Sequence, residues 1–263
     1  MATVSAAPLL VEDSAGVRTL VLNRPERRNA LSLALLRDLI AGLAETAADT
    51  SVHAVIVRGE GPGFCAGHDL AEMNGCSLPA ARELFDTCSE MMMAIHRLPQ
   101  PVIAQVHGIA TAAGCQLVAA CDLAIASEDA RFSTSGIRYG LFCSTPMVEV
   151  SRAIGRKRAL ELLLTGNMID APTAAEWGLV NRVVTRDRLE AETRELAAHI
   201  SGFSSHALAV GKAAFYEQLD VGLPEAYVHS SEVMAANSVA PDGREGIDAF
   251  VSKRAPQWRG RES

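Results

Sequence analysis

The stretch HAVIVRGEGPGFCAGHDL, residues 53–70, sets the fold class. Ala54–Val57 is a short apolar run that reads as a buried strand, and the glycines and proline after it break the chain into a turn-rich loop. Asp69 and Glu72 have the spacing of a capping-box variant, so a helix begins beside His68. The order is strand, glycine loop, helix. Backbone N–H groups at a helix N-terminus have no intrahelical acceptor and attract an anion or a developing negative charge. Residues 101–127, PVIAQVHGIATAAGCQLVAACDLAIAS, repeat the device: a strand runs into small residues, a helix starts near Ala113 and Gly114, and DLAIAS is a strand again. Small side chains let a ligand approach the backbone. Two such loops can each aim one N–H at a single carbonyl oxygen, which stabilises an enolate or a tetrahedral oxyanion.

Upstream, VRTLVL (17–22) reads as a strand, and LNRPERRNALS (22–32) leads into a helix with Leu33, Leu36, Leu39, Ile40 and Leu43 on one face. Downstream, a helix near 79–97 is stopped by LPQP. Strands separated by helices need crossover connections, so the fold is α/β with largely parallel strands. Beyond residue 155 helical periodicity dominates, with WGLVNRVV (177–184) the one short extended run. No low-complexity linker interrupts the chain. The expected division is a core over 1–200 and a helical region over 201–263.

The 263 residues, 49% hydrophobic and 21% charged, suit one large or two small globular domains. A net charge of −7 argues against general affinity for nucleic acid or an anionic membrane, while local arginines can still hold a small anion. Gln105, His107, Gln116 and Asp122 interrupt the longest weakly polar region, so a transmembrane helix is a poor reading. Residues 1–17 contain no Lys or Arg, unlike a secretory signal or an Arg-rich transit peptide, and a cytoplasmic location is expected. Cys65, Cys76, Cys88, Cys115, Cys121 and Cys143 form no C-x-x-C pair and are expected to be reduced thiols, without disulfide or metal.

LNRPERRNALS, GPGFCAGHDL, residues 101–127, LLTGNMIDAPTAAEWGLVNRVV (163–184) and EGIDAFVSKRAPQW (245–258), in that order, resemble the crotonase superfamily, the enoyl-CoA hydratase and isomerase family, over nearly the whole chain. ATAAGCQLVA and GLFCSTP are similar to a narrower branch, named enoyl-CoA hydratase domain-containing protein 3. The resemblance implies a crotonase-like ββα spiral with a C-terminal helical trimerisation region, assembled as a homotrimer or a dimer of trimers. It implies an acyl-CoA thioester as ligand, with CoA part of the substrate and no separate cofactor. The backbone N–H groups of His68 and Ala113 match the two oxyanion donors, the second being a position where many members have glycine. Arg28, Ala66, His68, Asp69 and Leu70 match the CoA-binding region, and Phe250 and Lys253 match tail positions that reach a neighbouring subunit's CoA.

Hydratases of the family add water with two glutamates. Here those positions hold Gln116 and Gly136, neither of which exchanges a proton near neutral pH. A poor hydratase is therefore expected. Cys143 and Ser144, in GLFCSTP, lie where relatives acting on other acyl-CoA substrates keep polar catalytic groups, and Cys143 is the substitute candidate against a purely structural thiol. A decarboxylase of the family shares AGHD, and decarboxylation needs an oxyanion site and a later proton but no base. Glu149 reads as a solvated helix residue, Asp122 as a cap or turn, His107 as the end of a strand, and Arg138 and Tyr139 as frame or packing. The expected function is oxyanion-stabilised acyl-CoA chemistry. Its alternatives are a decarboxylase-like enzyme and a non-catalytic acyl-CoA-binding or interaction protein.

Overall fold

The computed structural model describes residues 7–261. An antiparallel pair, β1 (Leu9–Ser14) and β2 (Val17–Leu22), opens a six-stranded sheet that continues in parallel through β3 (Ala54–Gly59), β4 (Val102–Val106), β6 (Leu123–Ser127) and β9 (Arg182–Val184). After each of β2, β3, β4 and β6 the chain crosses into a second layer and pairs again. Leu31 bridges His68, Cys65 bridges Ala110, and β5 (Ile109–Thr111) runs parallel to β7 (Arg131–Ser133), which also pairs with β8 (Ile169–Asp170). A helix follows each crossing: α1 (Leu33–Ala48), α2 (Leu70–Met73) with α3 (Leu78–Arg97), α4 (Ala113–Ala120) and α5 (Pro146–Ala153). This is the ββα spiral that the resemblance implies.

Burial explains the pattern. All six residues of β2 and all five of β4 are buried, as expected of parallel strands covered on both faces. One face packs Leu35, Leu36, Leu39 and Leu43 of α1 with Met91, Met92 and Ile95 of α3. Ala197 of α8 (Leu189–Ser201) packs on Val17, Ala54, Ile56 and Ile103 on the other face. Ser32 starts α1 by accepting from the Leu35 N–H, and Ser77 starts α3 by accepting from Ala80.

Two short helices, α6 (Arg156–Thr165) and α7 (Ala171–Trp177), precede α8, and α9 (Ser205–Leu219), α10 (Leu223–Val239) and α11 (Pro241–Val251) complete the chain. Lys212 ties α9 to the core through the carbonyls of Ile95 (2.9 Å) and Gln100 (3.0 Å) and through Asp122 (2.6 Å), while the Tyr216 hydroxyl donates to the same carboxylate at 2.8 Å. Asp122 also accepts from the Val102 N–H at 2.7 Å. It is thus a junction of three elements and not a simple turn residue. Burial lowers the Lys212 pKa, an effect that the adjacent Asp122 opposes. The last helices carry exposed apolar side chains, among them Leu223, Tyr227, Val228, Met234, Phe250 and Val251.

All six cysteines are free thiols, five buried and Cys76 exposed. Among the described residues, no helix is long and apolar enough to cross a membrane, and no group of His, Cys, Asp or Glu is arranged to hold a metal ion.

Candidate active site

The two glycine turns meet. The Thr111 N–H donates to the Cys65 carbonyl at 2.9 Å, the Cys65 N–H to the Ile109 carbonyl at 3.0 Å, and the Thr111 hydroxyl to the Ala66 carbonyl at 3.0 Å. Gly67, at φ +94°, sits against the second turn: a methyl group there would stand 2.9 Å from both the Ala112 Cβ and the Thr111 oxygen, and 3.4 Å from the Ala113 nitrogen. A methyl group at Gly114 would come within 2.2 Å of the Cys65 oxygen. Only glycine lets the start of α4 rest on the first loop.

This packing leaves two amides over. On either side of His68, the Leu31 N–H donates to Gly67 and the Asp69 N–H donates to Leu31. The His68 N–H has no acceptor among the described residues, and neither has that of Ala113, the first residue of α4. Both residues line one cavity of about 750 Å³. Ala112 sets the second amide by turning at φ +51°, ψ −117°, the corner of a type II′ turn that glycine normally occupies. Such strain costs on the order of 1 kcal/mol. Ala112→Gly is expected to stabilise the protein by about that amount, read as a higher urea midpoint at unchanged slope.

The same cavity is lined by Arg27, Arg28, Ala66, Asp69 and Leu70 and by Gly136, Arg138, Tyr139 and Cys143. Phe85, Phe142 and Met168 complete its apolar wall, and no pattern in the sequence distinguished them from core residues. Asp69 begins α2 by accepting from the Ala71 N–H at 3.1 Å and receives Arg24 at 2.8 Å. Glu72 does not close a capping box, because its carboxylate accepts instead from the Leu33 N–H at the start of α1, at 2.9 Å. Burial alone would raise the Asp69 pKa, but the bonds from Arg24 and Ala71 outweigh it and hold the carboxyl below its ordinary value. A depressed carboxyl contributes stability that is complete above the unfolded-state pKa, near 3.9, and is lost as the pH falls through the lower folded value. The stability gap between the native chain and Asp69→Asn is therefore expected to shrink below about pH 4 in urea titrations.

The His68 ring packs T-shaped against Phe85, with centroids 5.2 Å apart, and neither ring nitrogen has a hydrogen-bond partner among the described residues. Burial lowers its pKa to about 4, so the imidazole is neutral near pH 7 and a weak base. Arg138 braces the cavity wall through the Gly166 carbonyl and the Asn167 side chain, both at 3.1 Å. His107 follows β4 and bonds the Gly61 carbonyl at 2.9 Å, holding the first loop to the second.

The sequence matches the family model for enoyl-CoA hydratase/isomerase over residues 12–261. The chain belongs to the enoyl-CoA hydratase/isomerase family. It is 48% identical over 244 residues to mouse "enoyl-CoA hydratase domain-containing protein 3, mitochondrial", covering 92% of this chain and 81% of that one. A crystal structure of a Mycobacterium smegmatis enoyl-CoA hydratase superposes with a TM-score of 0.94 at 49% identity, covering 96% of this chain and 99% of that one. Human enoyl-CoA hydratase domain-containing protein 3 gives the same TM-score at 45% identity, over 96% of this chain and 100% of that one.

Gln116 and Gly136, which the resemblance sets at the two glutamate positions of hydratases, have distinct surroundings. A methyl group at Gly136 would lie 2.7 Å from both the Cys143 Sγ and the Leu141 carbonyl oxygen, so the space a side chain would enter is filled. Gln116 is not among the cavity's lining residues: it is buried in the first turn of α4, and its Oε1 has no partner among the described residues. Phe250 and Lys253 are not brought to this cavity either, and the Phe250 side chain stands exposed on α11. Glu149 corrects its expectation as a solvated residue. It is buried, with its carboxylate 3.3 Å from His96, and both line a second cavity of about 840 Å³ beyond α4 and α5.

Proposed function

We propose that this chain is an acyl-CoA enzyme whose thioester oxygen sits between the backbone N–H groups of His68 and Ala113, which stabilise an enolate. The observation that carries the reading is the pair of unpaired amides, delivered to one cavity by two turns in direct contact. Preorganised donors of this kind act where negative charge develops, and they need no reorganisation at the moment of reaction. Ala66, Asp69 and Leu70 line the CoA portion of the cleft. Arg28, at its mouth, meets a phosphate as a fixed cation.

Hydration is the weak activity in this reading. Glutamate is missing at position 116 and at position 136, and neither remaining residue activates water. Exposed apolar side chains on α10 and α11 support assembly into a homotrimer or a dimer of trimers, with Phe250 and Lys253 reaching the CoA of a neighbouring copy. The compartment proposed is the cytoplasm, although the mouse relative's name reads mitochondrial. A non-catalytic acyl-CoA binder is the second reading, favoured by the absence of Gln116 from the cavity lining. Calorimetric binding followed by a turnover screen over saturated, enoyl and carboxyacyl CoA thioesters separates the two. Binding with turnover of at least one class is expected. Binding without any turnover would leave the second reading, and no binding would refute both.

A further inference from the structure

Resting on that reading, we propose that the Cys143 thiol is the proton donor to the carbon of the enolate formed in the cavity. Cys143 lies just ahead of α5, is 8% exposed, and lines the same cavity as the two free amides. Its Sγ occupies the space in front of Gly136, where an added methyl group would be only 2.7 Å away. The thiol thus stands where a side chain from position 136 would otherwise enter.

The other titratable groups of the lining are engaged or unsuited. The lining arginines do not release a proton at any relevant pH. Asp69 is committed to Arg24 and to the Ala71 N–H. His68 is neutral, and Tyr139 is 63% exposed. Burial raises the Cys143 pKa, so the thiol keeps its proton near neutral pH. A protonated thiol is a poor base for generating an enolate and a good donor for quenching one.

The reaction that fits is one in which the enolate forms without a base. When a 2-carboxyacyl thioester loses CO2, the C–C bond breaks and its electron pair enters the enolate, whose oxygen is held by the amides of His68 and Ala113. The α-carbon then takes the S–H proton: a C–H bond forms, the S–H bond breaks, and the thioester carbonyl is restored. The pair left on sulfur makes a buried thiolate, which regains a proton from water at the cavity mouth. The transfer runs downhill, because an enolate carbon is a much stronger base than a thiolate.

The test uses the full-length protein with malonyl-CoA and methylmalonyl-CoA as probes, comparing the native chain with Cys143→Ser and Cys143→Ala. The native chain is expected to release CO2 and the shortened acyl-CoA, with the rate falling at high pH as the thiol deprotonates. Cys143→Ala is expected to lose about 10²-fold, the scale of a lost general acid. Cys143→Ser should keep part of the rate without that alkaline limb. A merely structural thiol would leave the pH profile in place. Acetyl-CoA binding by calorimetry separates the failures. No binding would overturn the acyl-CoA reading itself. Binding with neither probe decarboxylated, or with Cys143→Ala as fast as the native chain and its alkaline limb intact, would overturn only the role of Cys143.

Discussion

Crotonyl-CoA is expected to be hydrated by the native chain at least about 10²-fold more slowly than by a family member that has both glutamates, since general acid–base groups contribute roughly 10²–10⁴-fold. Nor is Gln116→Glu with Gly136→Glu expected to restore the activity. At position 136 the first carbon of any side chain meets the Leu141 carbonyl, a backbone atom that a rotamer change cannot move. Overpacking of this kind costs about 1–3 kcal/mol and shifts the loop that carries Cys143. At position 116 a carboxylate would be buried where even the present amide oxygen has no partner among the described residues, so it would take up a proton and hold it near neutral pH. The single and double variants should melt lower than the native chain and hydrate no faster. Hydration rates from pH 6 to 9, beside melting curves, check this; strong hydration by the native chain would mean that another residue does the acid–base work.

Ala113→Pro is expected to cost any turnover about 10²–10³-fold, the effect of removing one oxyanion donor. Ala113 is the first residue of α4, where a helix accepts the fixed φ of proline and where the missing N–H has no intrahelical bond to lose. Proline at 113 disfavours the φ +51°, ψ −117° of Ala112 before it, so the variant is expected to lose stability as well as turnover, and the Ala112→Gly background, which relieves the clash at the preceding Cβ, separates the two effects. The helical circular dichroism signal and calorimetric binding serve as controls. Native turnover in a well-folded Ala113→Pro protein would remove Ala113 from the reacting centre.

The parts of this site that were legible in the sequence are those governed by local backbone rules. Strand, glycine loop and helix followed from Ala54–Val57, Gly61–Gly67 and Asp69 because turns and caps are decided by neighbouring residues. Gly67 and Gly114 read as permissive positions, and the structure gives the reason in the contacts their missing side chains allow. Other features depend on packing between distant segments. Glu149 is polar and on a helix, yet α5 lies against α4 and near His96, so its carboxylate is buried. Asp122 finds Lys212 and Tyr216 some ninety residues further on. Ala112 gave no signal of its strained corner because alanine stands where glycine would have announced it. The helix around Gln116 was legible, but the absence of its side chain from the cavity lining was not, because periodicity over one short helix does not decide between faces of a segment that is buried almost all round.

The most direct test of the oxyanion assignment is a crystal structure of the protein with an unreactive acyl-CoA analogue that keeps the thioester carbonyl. The carbonyl oxygen is expected within about 3 Å of both the His68 and the Ala113 backbone nitrogens, with the acyl group directed toward Gly136 and Cys143. A carbonyl bound elsewhere in the cavity, with those two amides engaged by another group, would contradict it.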